Sequence, residues 1–149
     1  MTLAYVGLGS NLGDRETNIR DAAGLVGATR LSAIVETEPW GYRDQPLFLN
    51  AVAELDTDLG PRPLLGRLLE VEQQLGRVRT GPRYGPRTID LDLLLFGDVR
   101  LAEPGLEIPH PRLHERLFVL EPLAELVPDL KIPGKGTVAE ALAGLQSGP

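Results

Sequence analysis

The stretch Thr88 to Phe96 constrains this chain more than any other. Ile89, Leu91, Leu93 and Leu95 recur at every second position, the period of a strand with one apolar face. Asp90 and Asp92 stand between them, so the same alternation puts both carboxylates on the opposite face, ~6.6 Å apart along the chain. Two acids held this close repel each other unless a cation sits between them. Hard oxygen ligands of this kind suit Mg²⁺, and two such ions ~3.5–4 Å apart can clamp a phosphoryl group. An amphipathic strand with a solvated acidic face has the same pattern, so the pair alone leaves both readings open.

The rest of the chain supplies elements to place around that strand. Thr2 to Leu8 reads as a first strand, ending in the loop Gly9-Ser10-Asn11-Leu12-Gly13. Asp14 is placed to cap a helix whose apolar positions Ile19, Ala22, Ala23 and Val26 keep the helical period. Leu31 to Thr37 is β-branched enough for a second strand, and residues 38–46 form a long loop. Leu47 to Asp56 alternates, with Leu49, Ala51, Ala53 and Leu55 on one face and Asn50, Val52 and Glu54 on the other. A second helix starts near Pro61 or Pro63 and stops at Gly76. Short helical stretches follow around Leu113–Leu126 and Val138–Leu145. The order strand, helix, strand, strand, helix, strand predicts an α+β fold, a ferredoxin-like sandwich with helices against a mostly antiparallel sheet.

Composition narrows the class. A chain of 149 residues is expected to be one domain, 1–149. No cysteine is present, which removes disulfides, thiolate nucleophiles and cysteine metal sites. The net charge of −6 makes a nucleic-acid coat a poor expectation. No apolar run approaches membrane length, and the first residues lack the basic start and apolar stretch of a signal peptide, so a cytoplasmic protein without membrane contact is expected.

The basic residues, all arginine except Lys131 and Lys135, are unevenly spread, and four stand just ahead of the aspartates. From Gln73 to Ile89 stand Arg77, Arg79, Arg83 and Arg87 with no acid among them, broken by Gly81-Pro82 and Gly85-Pro86. Such a stretch reads as a loop. Guanidinium groups beside paired carboxylates offer cations for phosphates next to ligands for magnesium. Glu72 falls on the apolar stripe of the second helix with Leu65, Leu68 and Leu75; alone it reads as an edge residue. His110 and His114 have the spacing of a zinc pair but lack the rest of that motif. Gly7 to Gly13 and Gly134-Lys135-Gly136-Thr137 resemble nucleotide loops only in part and are set aside.

Taken together, Gly76-Arg77-Val78-Arg79 and Arg83-Tyr84-Gly85-Pro86-Arg87-Thr88-Ile89-Asp90-Leu91-Asp92-Leu93-Leu94-Leu95 strongly resemble the signature of the 6-hydroxymethyl-7,8-dihydropterin pyrophosphokinases. Tyr5 to Gly13, Phe48-Leu49-Asn50-Ala51 and Pro109-His110-Pro111-Arg112-Leu113 resemble the same family, and the match runs in order from residue 2 to about 130. The resemblance implies a ferredoxin-like α/β/α sandwich. It also implies an ATP-dependent diphosphokinase of folate biosynthesis, transferring the β,γ-diphosphate of ATP to the dihydropterin hydroxymethyl group and releasing AMP.

By the same resemblance Asp90 and Asp92 would hold two Mg²⁺ ions. Arg79 and Arg87 would be catalytic phosphate contacts, with Arg77, His110 and Arg116 also on the triphosphate. Glu72 would meet the ATP ribose and backbone near Leu93 the adenine. Phe48 and Phe118 would sandwich the pterin, Asn50 would read its amide edge, and Thr37, Trp40 and Tyr84 would complete that pocket. Tyr84 stands where many members carry tryptophan, and Phe48 where tyrosine is frequent. The rival readings are a metal-dependent phosphohydrolase and a non-catalytic ferredoxin-like binding module.

Overall fold

A computed structural model describes residues 1–37, 47–76 and 88–146. The chain runs β1 (Thr2–Ser10), α1 (Arg15–Val26), β2 (Ala28–Leu31), β3 (Val35–Thr37), β4 (Phe48–Thr57), α2 (Pro61–Gln74) and β5 (Asp90–Phe96). It continues through β6 (Leu101–Glu103), β7 (Leu106–Ile108), α3 (Leu117–Leu126), β8 (Lys131–Ile132), β9 (Gly136–Thr137) and α4 (Val138–Gln146). No helix among the described residues is long and apolar enough to cross a membrane.

Local chemistry accounts for the helix ends. The Asp14 carboxylate accepts a hydrogen bond from the Thr17 N–H at 3.1 Å, which caps α1 at the expected residue. Gly27 ends the helix in the left-handed conformation at φ 80°, and its N–H turns back to the Ala23 carbonyl. Helix α2 begins with prolines in its first turn, where a missing N–H costs no internal bond.

The main sheet has the order β2-β4-β1-β5, with β3 also paired to β4, and the pairings are antiparallel. This is the expected α+β, ferredoxin-like arrangement. One face packs Ala4, Val6, Leu8, Ala51, Ala53, Leu91 and Leu93 against Ile19 and Ala22 of α1 and Leu64, Leu68 and Val71 of α2. The other packs Tyr5, Val52, Leu94 and Leu95 against Val119, Leu120 and Leu123 of α3 and Val138 of α4. Helices therefore cover both faces in three layers.

Three expectations need correction. Strand β1 continues through Ser10, because Gly9 and Ser10 pair with Asn50 and Leu49; the loop starts later. Leu31 to Thr37 is two strands rather than one. Ser32 interrupts it: its N–H donates to the Val52 carbonyl at 2.9 Å while its Oγ accepts from the Val52 N–H at 2.8 Å, so a side chain replaces a ladder bond.

The third correction concerns the aspartate strand. Val6 pairs with Leu93 but Tyr5 with Leu95, so β5 carries one extra residue, Leu94. Such a bulge shifts side-chain alternation by one. Leu91 and Leu93 share one face, as expected, and pack toward α1 and α2, whereas Leu95 turns to the α3 side. The Leu94 carbonyl accepts the His110 N–H at 2.9 Å, which ties the chain after β7 to β5.

Candidate active site

Register brings the predicted residues to one end of the sheet. Gly9 pairs with Asn50 on one side and Asp90 on the other; Gly7 pairs with Val52 and Asp92. Residues paired across strands share a face. Asn50, Asp90 and Asp92 therefore lie on the face that α3 covers, with β1 glycines between them. From β4 to β5 spans two strand spacings, about 10 Å.

Glycine at position 9 has a steric reason. A Cβ there would lie 3.0 Å from Asn50 Oδ1 and 3.5 Å from a Phe48 ring carbon. Both side chains thus lean over β1. Asn50 is buried and donates from Nδ2 to the Thr37 hydroxyl, so Thr37, Phe48 and Asn50 form one cluster.

The second cluster surrounds the aspartates. The Arg116 guanidinium stands 4.0 Å from Asp92 Oδ2 and 5.5 Å from the Phe118 ring centre. Arg116 sits at the N-terminus of α3, so that helix carries a cation and an aromatic ring to the carboxylates. His110 accepts the Arg112 N–H at its Nδ1 over 3.2 Å, which leaves the proton of the neutral ring on Nε2. Burial first, then the nearby Arg116 charge, pushes the His110 pKa down to about 4, against the opposing pull of Asp90. The ring is therefore a neutral donor at pH 7. It also lines an open cleft of about 380 Å³ with Arg100 and Lys135.

Glu72 is not the edge residue that its place in the sequence suggests by itself. It is 2% exposed on α2, and its Oε2 accepts the Leu91 N–H at 2.8 Å. Leu93 is buried on the same side of the sheet.

The sequence model of the family described as 7,8-dihydro-6-hydroxymethylpterin-pyrophosphokinase (HPPK) matches residues 5–128. This chain belongs to that family. A Bacillus subtilis 2-amino-4-hydroxy-6-hydroxymethyldihydropteridine pyrophosphokinase is 50% identical over 130 residues, covering 83% of this chain and 77% of its own. The Pseudomonas aeruginosa enzyme of the same name is 47% identical over 145 residues, 93% of this chain and 89% of the relative. Among solved structures, Plasmodium falciparum HPPK-DHPS with pteroate superposes at a TM-score of 0.73 with 15% identity, covering 95% of this chain and 42% of that longer one. That likeness concerns the fold.

As an HPPK, the chain is an ATP-dependent diphosphokinase. Of its expected site residues, Thr37, Phe48, Asn50, Asp90, Asp92, His110, Arg116 and Phe118 gather on the α3 side or at its rim. Trp40, Arg77, Arg79, Tyr84 and Arg87 lie outside the described residues. Sequence reasoning missed Arg15, whose Nη1 donates to Glu36 Oε2 at 3.1 Å and to the Leu47 carbonyl at 2.8 Å, joining both stems of the 38–46 segment. Both partners are remote in sequence, so no local pattern marks it. Gly9 was visible only as part of a motif; its steric role needed the neighbouring strand.

Proposed function

We propose that this end of the sheet transfers the β,γ-diphosphate of ATP to 6-hydroxymethyl-7,8-dihydropterin, releasing AMP, in folate biosynthesis. The hydroxymethyl oxygen attacks the β-phosphorus and gives up its proton to water, the bond from that phosphorus to the α–β bridging oxygen breaks, and AMP leaves with that oxygen. The observation that carries the reading is the row Asn50–Gly9–Asp90, which sets an amide-reading side chain and a carboxylate pair two strands apart on one face.

The donor set fits magnesium. Asp90 and Asp92 are half-buried carboxylates on one face of one strand. Among the described residues no group of three potential metal ligands converges. Mg²⁺ does not need one, because it keeps several waters and takes one or two carboxylates with substrate phosphates. Asp90 and Asp92 would hold two such ions, which when bound supply charge neutralisation for the triphosphate and orientation for the attacking hydroxyl.

The chain's own groups do the positioning. Arg116 is held between Asp92 and the Phe118 ring, where its charge can meet a phosphate oxygen. His110 offers a neutral Nε2–H to the same anion. Phe48 and Phe118 supply flat apolar surfaces for the pterin, and Asn50, oriented by Thr37, matches the alternating donors and acceptors of its amide edge. The family resemblance adds Arg77, Arg79 and Arg87 on the phosphates, Trp40 and Tyr84 beside the pterin, Glu72 at the ribose and Leu93 near the adenine.

The deciding experiment measures AMP formed from ATP and Mg²⁺ with and without the dihydropterin. AMP appearing only when pterin and metal are both present supports the reaction. A folded protein that forms none overturns it.

A further inference from the structure

Among the described residues, the strand that carries Asp90 and Asp92 is at the edge of its sheet, paired on one side with β1. Its partners there are Gly9 opposite Asp90 and Gly7 opposite Asp92, which offer no side chain to hold either carboxylate. An edge strand also presents alternate N–H and C=O groups outward, where nothing in the sheet fixes them. From outside the sheet, the His110 N–H donates to the Leu94 carbonyl, and Glu72 accepts the Leu91 N–H at 2.8 Å.

That Leu91 N–H belongs to the peptide joining Asp90 to Leu91, between the two aspartate side chains. Glu72 is well placed to fix it. The residue is 2% exposed within the packed row Leu64, Leu68 and Val71, and the bond it makes is strengthened by charge. Mg²⁺ tolerates little error, requiring near-octahedral ligands at ~2.0–2.1 Å. Groups behind metal ligands therefore matter nearly as much as the ligands themselves.

We infer that Glu72 is a positioning residue: through the Asp90–Leu91 peptide it sets the spacing and aim of Asp90 and Asp92 toward a divalent cation and the triphosphate. The inference rests on the reading of those aspartates as metal ligands. It adds to, and differs from, the ribose contact that the family resemblance gives Glu72.

Two conservative variants separate reach from charge. Glu72→Gln keeps an oxygen at the same reach; Glu72→Asp keeps the charge but falls one methylene short. In the metal-free protein, the Leu91 amide should exchange with solvent faster in Glu72→Asp than in wild type, and stay protected in Glu72→Gln. With substrates, Glu72→Asp should lose about ten- to a hundredfold in kcat and need more Mg²⁺ for half-saturation, while Glu72→Gln keeps most of the activity. The deficit should persist with 2′,3′-dideoxy-ATP.

A deficit that vanishes with the dideoxy nucleotide, or resides only in the KM for ATP, assigns Glu72 to the sugar and overturns the inference. Loss in Glu72→Gln with Glu72→Asp spared makes charge the cause and overturns it too, as does unchanged Leu91 exchange in Glu72→Asp. Failure of the wild type to form AMP would instead strike the proposed reaction, a separate result from any difference among the variants.

Discussion

Asn50 and Gly9 are in contact across the β1–β4 pairing: a Cβ on Gly9 would stand 3.0 Å from Asn50 Oδ1. The same Cβ would meet the Phe48 ring at 3.5 Å. Gly9→Ala must therefore displace Asn50 by a few tenths of an ångström. The expected outcome is a KM for the dihydropterin raised about tenfold with the KM for ATP little changed, since small misplacements of a substrate-reading group are costly. Steady-state kinetics with each substrate varied in turn checks this; an equal rise for both substrates would speak against Asn50 as the pterin reader.

Asp92→Ala removes one of two neighbouring carboxylates from a strand otherwise fixed by Leu91, Leu93 and the Leu94 bulge. Its 4.0 Å contact with Arg116 is half-exposed on the aspartate side, so losing it should cost at most about 1 kcal/mol of stability. Turnover should fall by about a thousandfold or more, because a metal at a phosphoryl group supplies several kcal/mol to the transition state. Thermal unfolding and AMP formation measured on the same preparation test the two halves together. Near-normal turnover would remove Asp92 from the metal site.

Much of this arrangement was legible in the sequence, and the exceptions have physical causes. The alternation around Asp90 and Asp92 placed both acids on one face because flanking leucines mark the period. The same leucines concealed the bulge: in Leu93-Leu94-Leu95 no polar residue records where the register shifts, so Leu95 read as sharing the face of Leu91 and Leu93. Ser32 hid the break between β2 and β3, because a hydroxyl standing in for a ladder bond leaves no compositional trace. Glu72 was noticed for its place on an apolar stripe, yet its partner is a backbone N–H on another element, and a backbone donor has no residue identity to read.

His110 yields a pH prediction. Its pKa in the folded protein is pushed down to about 4, chiefly by burial and then by Arg116, against an ordinary value of 6.5. Between these values the unfolded chain binds a proton that the folded one does not, so stability falls as pH drops through that window. The contribution is fully present above 6.5 and amounts to at most about 3 kcal/mol. Denaturant unfolding of the metal-free protein at pH 7, 5.5 and 4 should show this slope, and His110→Gln should lose that part of it. An imidazole titrating near 6.5 by NMR would contradict the lowering by burial and Arg116.

A second polar cluster of the α3 face, around Tyr5 and Glu54, makes an alkaline prediction of opposite sign. Tyr5 donates its hydroxyl proton to Glu54 Oε2 at 2.8 Å, and Arg30 grips both Glu54 oxygens at 3.0 and 2.8 Å while donating to the Leu126 carbonyl at the end of α3. The Arg30 hydrogen bonds, opposed by desolvation and helped by Tyr5, hold the Glu54 carboxyl below its ordinary range. Burial, then the Glu54 bond and charge, pushes the Tyr5 phenol up to about 12. The folded state thus keeps a proton that the unfolded chain releases above 10, so this stabilisation is complete below pH 10 and is lost as pH rises toward 12. Tyr5→Phe should cost about 1–2 kcal/mol near neutral pH, the worth of a hydrogen bond to a charged acceptor that Arg30 still satisfies in part. The variant should also lose less stability than wild type between pH 10 and 12, with turnover at pH 7 retained because none of the proposed substrate contacts belongs to this cluster. Chemical denaturation across that alkaline range measures the difference, and parallel slopes in both proteins would place the proton elsewhere.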